Sequence, residues 1–155
     1  VVGKMLSLTE KNYNDQILRE TLWNSKALSS DVTAALNPVF KSVHDVENVA
    51  RLSYGLAFAK YTGSRGKVMA NDADAEFIQE IRQIFDKNEI KYQSGGFGKV
   101  DEGGGGTVAK FLAYYGIRTV DAGPALLSMH SLFEISSKAD LYETYRAYKV
   151  FFELD

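Results

Sequence analysis

A run of four glycines is the first feature of the sequence that could bind a ligand. The glycines occupy residues 103–106 and precede Thr107, at the predicted start of a helix. Backbone without side chains lets a phosphate or carboxylate approach the N–H groups at a helix start. The run lacks the Gly-Lys-Ser/Thr of a P-loop and the spaced glycines of a dinucleotide fold, which argues against nucleotide binding. Gly104, Gly105, Gly106 and Thr107 could therefore hold an anion, with a flexible turn as the alternative.

A histidine and an aspartate each lie at the end of a predicted strand. His130, one of two histidines in the chain, could bind a metal ion through its neutral imidazole, or could be an ordinary hydrogen-bonded histidine. Asp31 could be a second ligand, or a carboxylate that caps the following loop. In open α/β sheets, groups at the carboxyl ends of strands converge on the ligand crevice. Both residues occupy such ends, so the pattern predicts that they share a site.

Two further groups could contact a substrate. His44 lies in a long polar loop over residues 37–54, and loops of this length inside compact domains are often functional. A solvated surface histidine is the alternative. Lys60, Arg65 and Lys67 form a modest basic cluster that could recognise a substrate carboxylate or could serve loop solubility.

Alternating helix and strand patterns predict the elements that position these residues. Apolar residues at helical spacing after Asp72 give the clearest helix, and a Ser-x-x-Glu capping box at residues 7–10 predicts another. The last helix should begin near Ser137, with Asp140 as its capping partner and Tyr145 on an apolar stripe. Strands are predicted at residues 27–32, 55–62 (ended by a turn at 63–66), 90–93, 117–120 and 125–129, with a further helix at 107–115. The alternation favours one α/β sandwich with a largely parallel sheet.

Composition bounds the function classes. With 155 residues, 45% of them hydrophobic, the chain has the content for one core of ordinary size. The formal charge of −2 argues against a nucleic-acid or anionic-membrane surface. The absence of cysteine excludes disulfides and thiolate metal sites, which is consistent with a cytoplasmic protein. The chain begins without an initiator methionine, so we expect it to start inside a longer protein.

Several segments together resemble the C-terminal part of aspartyl aminopeptidase and aminopeptidase I type zinc peptidases. The resemblance runs from about residue 27 to the C-terminus. It is carried by SDV at residues 30–32, NP at 37–38, GKVDEGGGGTVAKFL at 98–112, DAGPALLSMHS at 121–131 and SSKADLY at 136–142.

The resemblance implies a co-catalytic two-zinc aminopeptidase with a three-layer α/β sandwich and a largely parallel mixed sheet. Asp31 matches a late aspartate ligand of the family, and His130 matches its last histidine ligand. The glycine segment through Thr107 falls where the family binds the substrate backbone. Met129 falls beside the site, and Lys60 near the substrate pocket. Cobalt or manganese would also suit such ligands.

The resemblance also implies that part of the catalytic site lies outside this chain. The family's first histidine ligand, its bridging aspartate and its glutamate pair all precede the matching region. We therefore expect residues 1–155 to be the C-terminal portion of a catalytic domain, inactive alone. Its expected partners are a peptide substrate, the rest of the domain and, in full-length form, further copies of itself. The competing hypothesis is a non-catalytic binding or assembly module that holds an anion with its glycine loop.

Overall fold

A computed structural model describes residues 1–64, 68–96, 98–99 and 102–153. The helices are α1 Val2–Thr9, α2 Asp15–Trp23, α3 Ala75–Lys87, α4 Ala109–Tyr114 and α5 Lys138–Phe152, with a short 3-10 helix at Lys41–Val43. The strands are β1 Lys26–Ser29, β2 Thr33–Ala34, β3 Leu56–Ala59, β4 Tyr61–Ser64, β5 Val68–Asp72, β6 Tyr92–Ser94, β7 Gly104–Gly105, β8 Arg118–Gly123, β9 Ala125–Leu127 and β10 Ile135–Ser136.

The main sheet has four strands in the order β1-β8-β3-β6. β1 pairs with β8 in parallel and β3 pairs with β6 in parallel, while β8 and β3 are antiparallel. Two small sheets, β10-β9-β2 and β5-β4-β7, adjoin it. The predicted α/β class with a mixed, largely parallel sheet is confirmed. Of the helices in the described part of the chain, none combines the length and the apolar composition that a bilayer crossing requires.

The core lies between one face of this sheet and two helices. Leu56 and Phe58 of β3 pack with Val120 of β8 against α3 and α5. On α3 the buried residues are Phe77, Ile81 and Phe85, spaced four residues apart as the periodicity predicts. Because side chains alternate along a strand, the residues between these apolar positions face the other side of the sheet. That second face carries small and polar side chains and borders the candidate site.

The last helix starts after Ser137 as predicted, but the first predicted helix start is wrong. Ser7 lies inside α1, where its hydroxyl donates to the Lys4 carbonyl, so the predicted capping box does not start a helix. Asn14 caps α2 instead, since its backbone is extended and its Oδ1 accepts the N–H groups of Gln16 at 2.9 Å and Ile17 at 3.1 Å.

The start of α3 and the turn before it also differ. Asp72 belongs to β5, and Asp74 caps α3 by accepting the N–H of Phe77 at 2.8 Å. The Asp74 carboxylate also binds the Arg118 guanidinium, which holds the pKa of Asp74 below its usual value. The turn predicted at residues 63–66 is wrong at its start, because Gly63 and Ser64 belong to β4 and pair with residues of the neighbouring strands.

Asp140 in α5 does not cap its own helix. It is completely buried, and its carboxylate accepts the N–H groups of Ser53 at 2.8 Å and Gly55 at 2.7 Å. Both of those residues have positive φ, so Asp140 holds a strained turn at the entrance to β3. This attachment turns the Asp140 side of α5 inward, and Tyr145 on the predicted stripe is exposed.

Candidate active-site residues

The glycine run forms a strand rather than the start of a helix. Gly104 and Gly105 make up β7, which pairs antiparallel with β4, opposite Ser64 and Gly63. Helix α4 begins only at Ala109 and has six residues. The prediction of an anion cradle at a helix start is therefore wrong, because pairing with β4 outweighs the local preference of glycine for turns. The competing hypothesis, in which the chain is a binding module that holds an anion with this loop, stays a prediction.

Asp121 is the residue that sequence reasoning missed. It lies on β8, is 3% exposed and faces away from the apolar core. Its Oδ2 accepts the Thr107 hydroxyl at 2.8 Å and, at 3.4 Å, the Thr62 hydroxyl. Burial raises the pKa of Asp121, and the nearby charge of Asp31 raises it further, while the hydrogen bond from the Thr107 hydroxyl opposes the shift. The signal available in the sequence was an acidic residue between Val120 and Ala122, two apolar residues of β8.

Asp31 lies next to Asp121, at the carboxyl end of β1. The parallel register places Ser29 opposite Asp121, and Asp31 follows two residues later. Asp31 is half-buried, and its Oδ1 accepts the N–H of Val32 at 2.9 Å. Asp31, Thr107 and Asp121 line one small cavity of about 10 Å³, which is room for about one water molecule. Asp31 thus has Asp121 as its neighbour, and its predicted convergence with His130 stays a prediction.

His130 lies beyond the far end of β9. β2 and β9 are parallel, with Thr33 opposite Ala125, so Asp31 precedes this pair and His130 follows it. His130 is exposed and has a φ of 66°, and its N–H donates to Glu134 Oε1 at 2.6 Å. It does not line the small cavity beside Asp31. The structure thus leaves the shared metal site of Asp31 and His130 as a prediction. Met129, in the same turn, is half-buried.

His44 is buried rather than solvated. It is 7% exposed, its Nε2 accepts the N–H of Asn37 at 3.3 Å, and burial lowers the pKa of its imidazole. Its Nδ1 has no hydrogen-bond partner among the described residues. The alternative of a surface histidine is wrong, and contact with substrate stays a prediction.

Lys60 borders a cavity close to β7. This cavity, of about 460 Å³, is also lined by Asp45, Arg82 and Lys99. The exposed Lys60 ammonium pairs with the carboxylate of Asp72. The other members of the predicted basic cluster, Arg65 and Lys67, lie outside the described residues.

The two candidate metal ligands of this chain suit zinc by their donor atoms but are too few to hold it. Asp31 and His130 offer the carboxylate oxygen and imidazole nitrogen that zinc accepts. Within residues 1–64, 68–96, 98–99 and 102–153, however, no group of three or more His, Asp or Glu side chains could hold a metal ion. A structural or catalytic zinc normally takes at least three protein ligands. The described residues therefore do not complete a zinc site.

Comparison with known proteins defines the class as zinc metalloproteases. The family described as "Aminopeptidase I zinc metalloprotease (M18)" matches residues 1–152. The chain belongs to this M18 family.

The relatives agree with the family match. A "Probable M18 family aminopeptidase 1" of Borrelia garinii subsp. bavariensis is 56% identical over 153 residues, covering 99% of this chain and 33% of that protein. The crystal structure of an M18 aminopeptidase from Thermotoga maritima superposes with a TM-score of 0.90 at 49% identity, over 96% of this chain and 33% of the other. Aminopeptidase I from Clostridium acetobutylicum gives a TM-score of 0.82 at 48% identity, over 94% and 33% of the two chains. The chain thus spans about a third of the length of these relatives.

Proposed function

We propose that this chain is the C-terminal portion of the catalytic domain of a zinc metallo-aminopeptidase, which removes N-terminal residues from peptides by two-metal-assisted hydrolysis. The observation that carries the proposal is the family match over residues 1–152. The coverage of about a third of each relative supports a site shared with other parts of the full-length protein.

Asp31 and His130 are the metal ligands that we assign to this chain. Their donor atoms suit zinc, with cobalt or manganese as alternatives, and the remaining ligands and the general base would come from elsewhere in the protein. When bound, a metal pair polarises the scissile carbonyl and activates a water molecule. The half-buried position of Asp31 and the Val32 N–H bond to its Oδ1 keep this carboxylate in one orientation.

The glycine strand β7 is the proposed binding surface for the substrate backbone. β7 lies at the edge of the β5-β4-β7 sheet, with β4 on one side. An edge strand can add an extended peptide through main-chain hydrogen bonds, and glycines let the peptide approach closely. Gly104, Gly105, Gly106 and Thr107 would hold the substrate backbone. Lys60, His44 and Met129 are kept as further substrate-contact candidates.

Hydrolysis of aminoacyl-nitroanilides tests this function. We expect turnover by the full-length protein with zinc, cobalt or manganese, and none by the 155-residue chain alone. His130→Ala and Asp31→Asn in the full-length protein should each lower the bound metal and abolish most activity, whereas Asp15→Asn, on an exposed turn of α2, should change neither. Turnover by the isolated chain, or unchanged metal content in both site variants, would contradict the proposal.

The full-length protein is also proposed to form a homo-oligomer in the cytoplasm, as the family resemblance implies. Apolar side chains on α5, including Leu141, Tyr142 and Phe152, are exposed, and a neighbouring copy of the protein would cover them in such an oligomer. Sedimentation of the full-length protein should give a mass above that of one chain, and a monomer at micromolar concentration would contradict this part of the proposal.

A further inference from the structure

Asp121 lies where three segments of the candidate site meet. β8 carries the carboxyl group, β4 contributes the Thr62 hydroxyl, and the segment that follows β7 contributes the Thr107 hydroxyl. The Thr107 bond, at 2.8 Å, is the shorter of the two. Among the described residues, Asp121 Oδ1 has no hydrogen-bond partner, although the atom is buried.

A buried carboxyl group at this position is not explained by the hydrophobic core. Burying such a group costs free energy unless its oxygens are bonded, and Val120 and Ala122 on either side supply the apolar contacts of β8. The carboxyl group instead faces the small cavity that Asp31 and Thr107 also line. It therefore stands between a proposed metal ligand and the end of the glycine segment.

Thr107 connects Asp121 to the glycine segment. It directly follows residues 104–106, which have no side chains of their own to fix their position. In β7 only Gly104 and Gly105 pair with β4, and the segment after them is joined to the main sheet by the Thr107 hydroxyl, which binds Asp121, and by α4, whose Ala109 is fully buried.

We propose that Asp121 is a positioning residue: by binding Thr107 it fixes the glycine segment, residues 104–106, relative to Asp31. The inference rests on the proposed function, in which the glycines bind the substrate backbone and Asp31 binds metal. In this proposal Asp121 acts through Thr107 and not by contact with substrate or metal.

A double-mutant cycle in the full-length protein tests this assignment. Thr107→Val removes the hydroxyl with little change in shape, and we expect a KM about tenfold higher with kcat within about twofold, the pattern of lost substrate binding. Thr107→Ser keeps the hydroxyl and should restore KM to within about twofold of the wild-type value. Asp121→Ala should raise KM as Thr107→Val does, and the double variant should be no worse than either single variant, because both remove one interaction.

Hydrogen exchange gives a readout that does not depend on activity. Thr107→Val should speed amide exchange at residues 104–106 by about tenfold, because local opening becomes easier when an attachment is lost. Thr119→Val is the matched control: Thr119 is equally buried on β8, two residues before Asp121, and its hydroxyl donates only to the Ile117 carbonyl. This variant should leave KM and exchange at the glycines unchanged.

The outcomes separate the inference from the proposed function. A wild-type protein with zinc that hydrolyses no aminoacyl substrate overturns the function. An active wild type with additive effects in the cycle, or with unchanged glycine exchange in Thr107→Val, overturns the role of Asp121. If Asp121→Ala fails to fold, Asp121→Asn takes its place in the cycle, and glycine exchange in Thr107→Val decides the question, because KM alone does not separate positioning from direct substrate contact by Thr107.

Discussion

Replacing Gly123 by alanine directly tests how the candidate site is assembled. An ideal Cβ at Gly123 lies 2.0 Å from the carbonyl oxygen of Asp31 and 2.9 Å from its carbonyl carbon. Real Cβ atoms essentially never come within 3.0 Å of such atoms. The Asp31 peptide must therefore move by about 1 Å or more, because a close-packed interior cannot absorb the overlap.

The displacement should cost both stability and metal affinity. Overpacking costs about 1–3 kcal/mol, and we expect about 3 kcal/mol here because the overlap is with rigid backbone. A shift of the residue that we assign as a metal ligand should weaken zinc binding by about 10- to 100-fold, the usual effect of disturbing the support of a ligand. Urea unfolding and competitive zinc titration of the full-length protein measure the two effects.

Gly103→Ala provides the control for this prediction. A Cβ at Gly103 meets no heavy atom of the described residues within 4 Å, so the same substitution adds no overlap with them. Replacing glycine by alanine also restricts the unfolded chain. The resulting gain in the free energy of unfolding, about 0.4–1 kcal/mol, is the same for both variants. Equal unfolding free energies and equal zinc affinities for the two variants would refute the claim that Gly123 sets the position of Asp31.

Three further predictions follow from single contacts, each measured by denaturant unfolding. Asp140→Ala leaves the N–H groups of Ser53 and buried Gly55 without their acceptor and should cost about 2–4 kcal/mol, since hydrogen bonds to charged groups are the stronger ones; a loss below about 1 kcal/mol would contradict this role of Asp140. Asn14→Ala should cost about 1 kcal/mol while Ser7→Ala costs much less, because only Asn14 caps a helix; equal losses would restore the capping box. Arg118 lowers the folded-state pKa of Asp74, so this pair stabilises the protein above the pKa of an unfolded aspartate, about 3.9, and the contribution is lost as pH falls through the folded-state pKa. Arg118→Met should therefore be less stable than the wild type at pH 7, with the difference shrinking in acid, and a difference independent of pH would exclude the pair as its cause.

The elements that could be predicted are those with a long apolar period. The spacing of Phe77, Ile81 and Phe85 alone identifies α3, because a helix must turn one face to the core. The start of the same helix could not be predicted, since Asp72 and Asp74 are both acceptable caps. The choice falls on Asp74, which also meets Arg118, a residue 44 positions away.

The residues of the candidate site also divide into those that a local sequence pattern predicts and those that depend on distant partners. Asp31 could be proposed from its place after a strand, because parallel strands bring their carboxyl ends to one edge of a sheet. Asp121 could not, because its hydroxyl donors Thr62 and Thr107 are 59 and 14 residues away and no local pattern joins them. The glycine run was misjudged for a similar reason, since its β4 partner lies about 40 residues earlier in the chain.

The apolar core and the candidate site are set by one register. Val120 and Ala122 face the core while Asp121 faces Thr107, because side chains alternate along β8. A shift of the β8 register by one residue would put the Asp121 carboxyl group into the apolar core and an apolar side chain beside Asp31. The free energy of burying that carboxyl group would strongly destabilise the fold. The burial of Val120 and Ala122 against α3 and α5 therefore also determines which side chain meets the glycine segment. A change that loosens the core on one face of β8 should therefore alter the Asp121 to Thr107 contact on the other face.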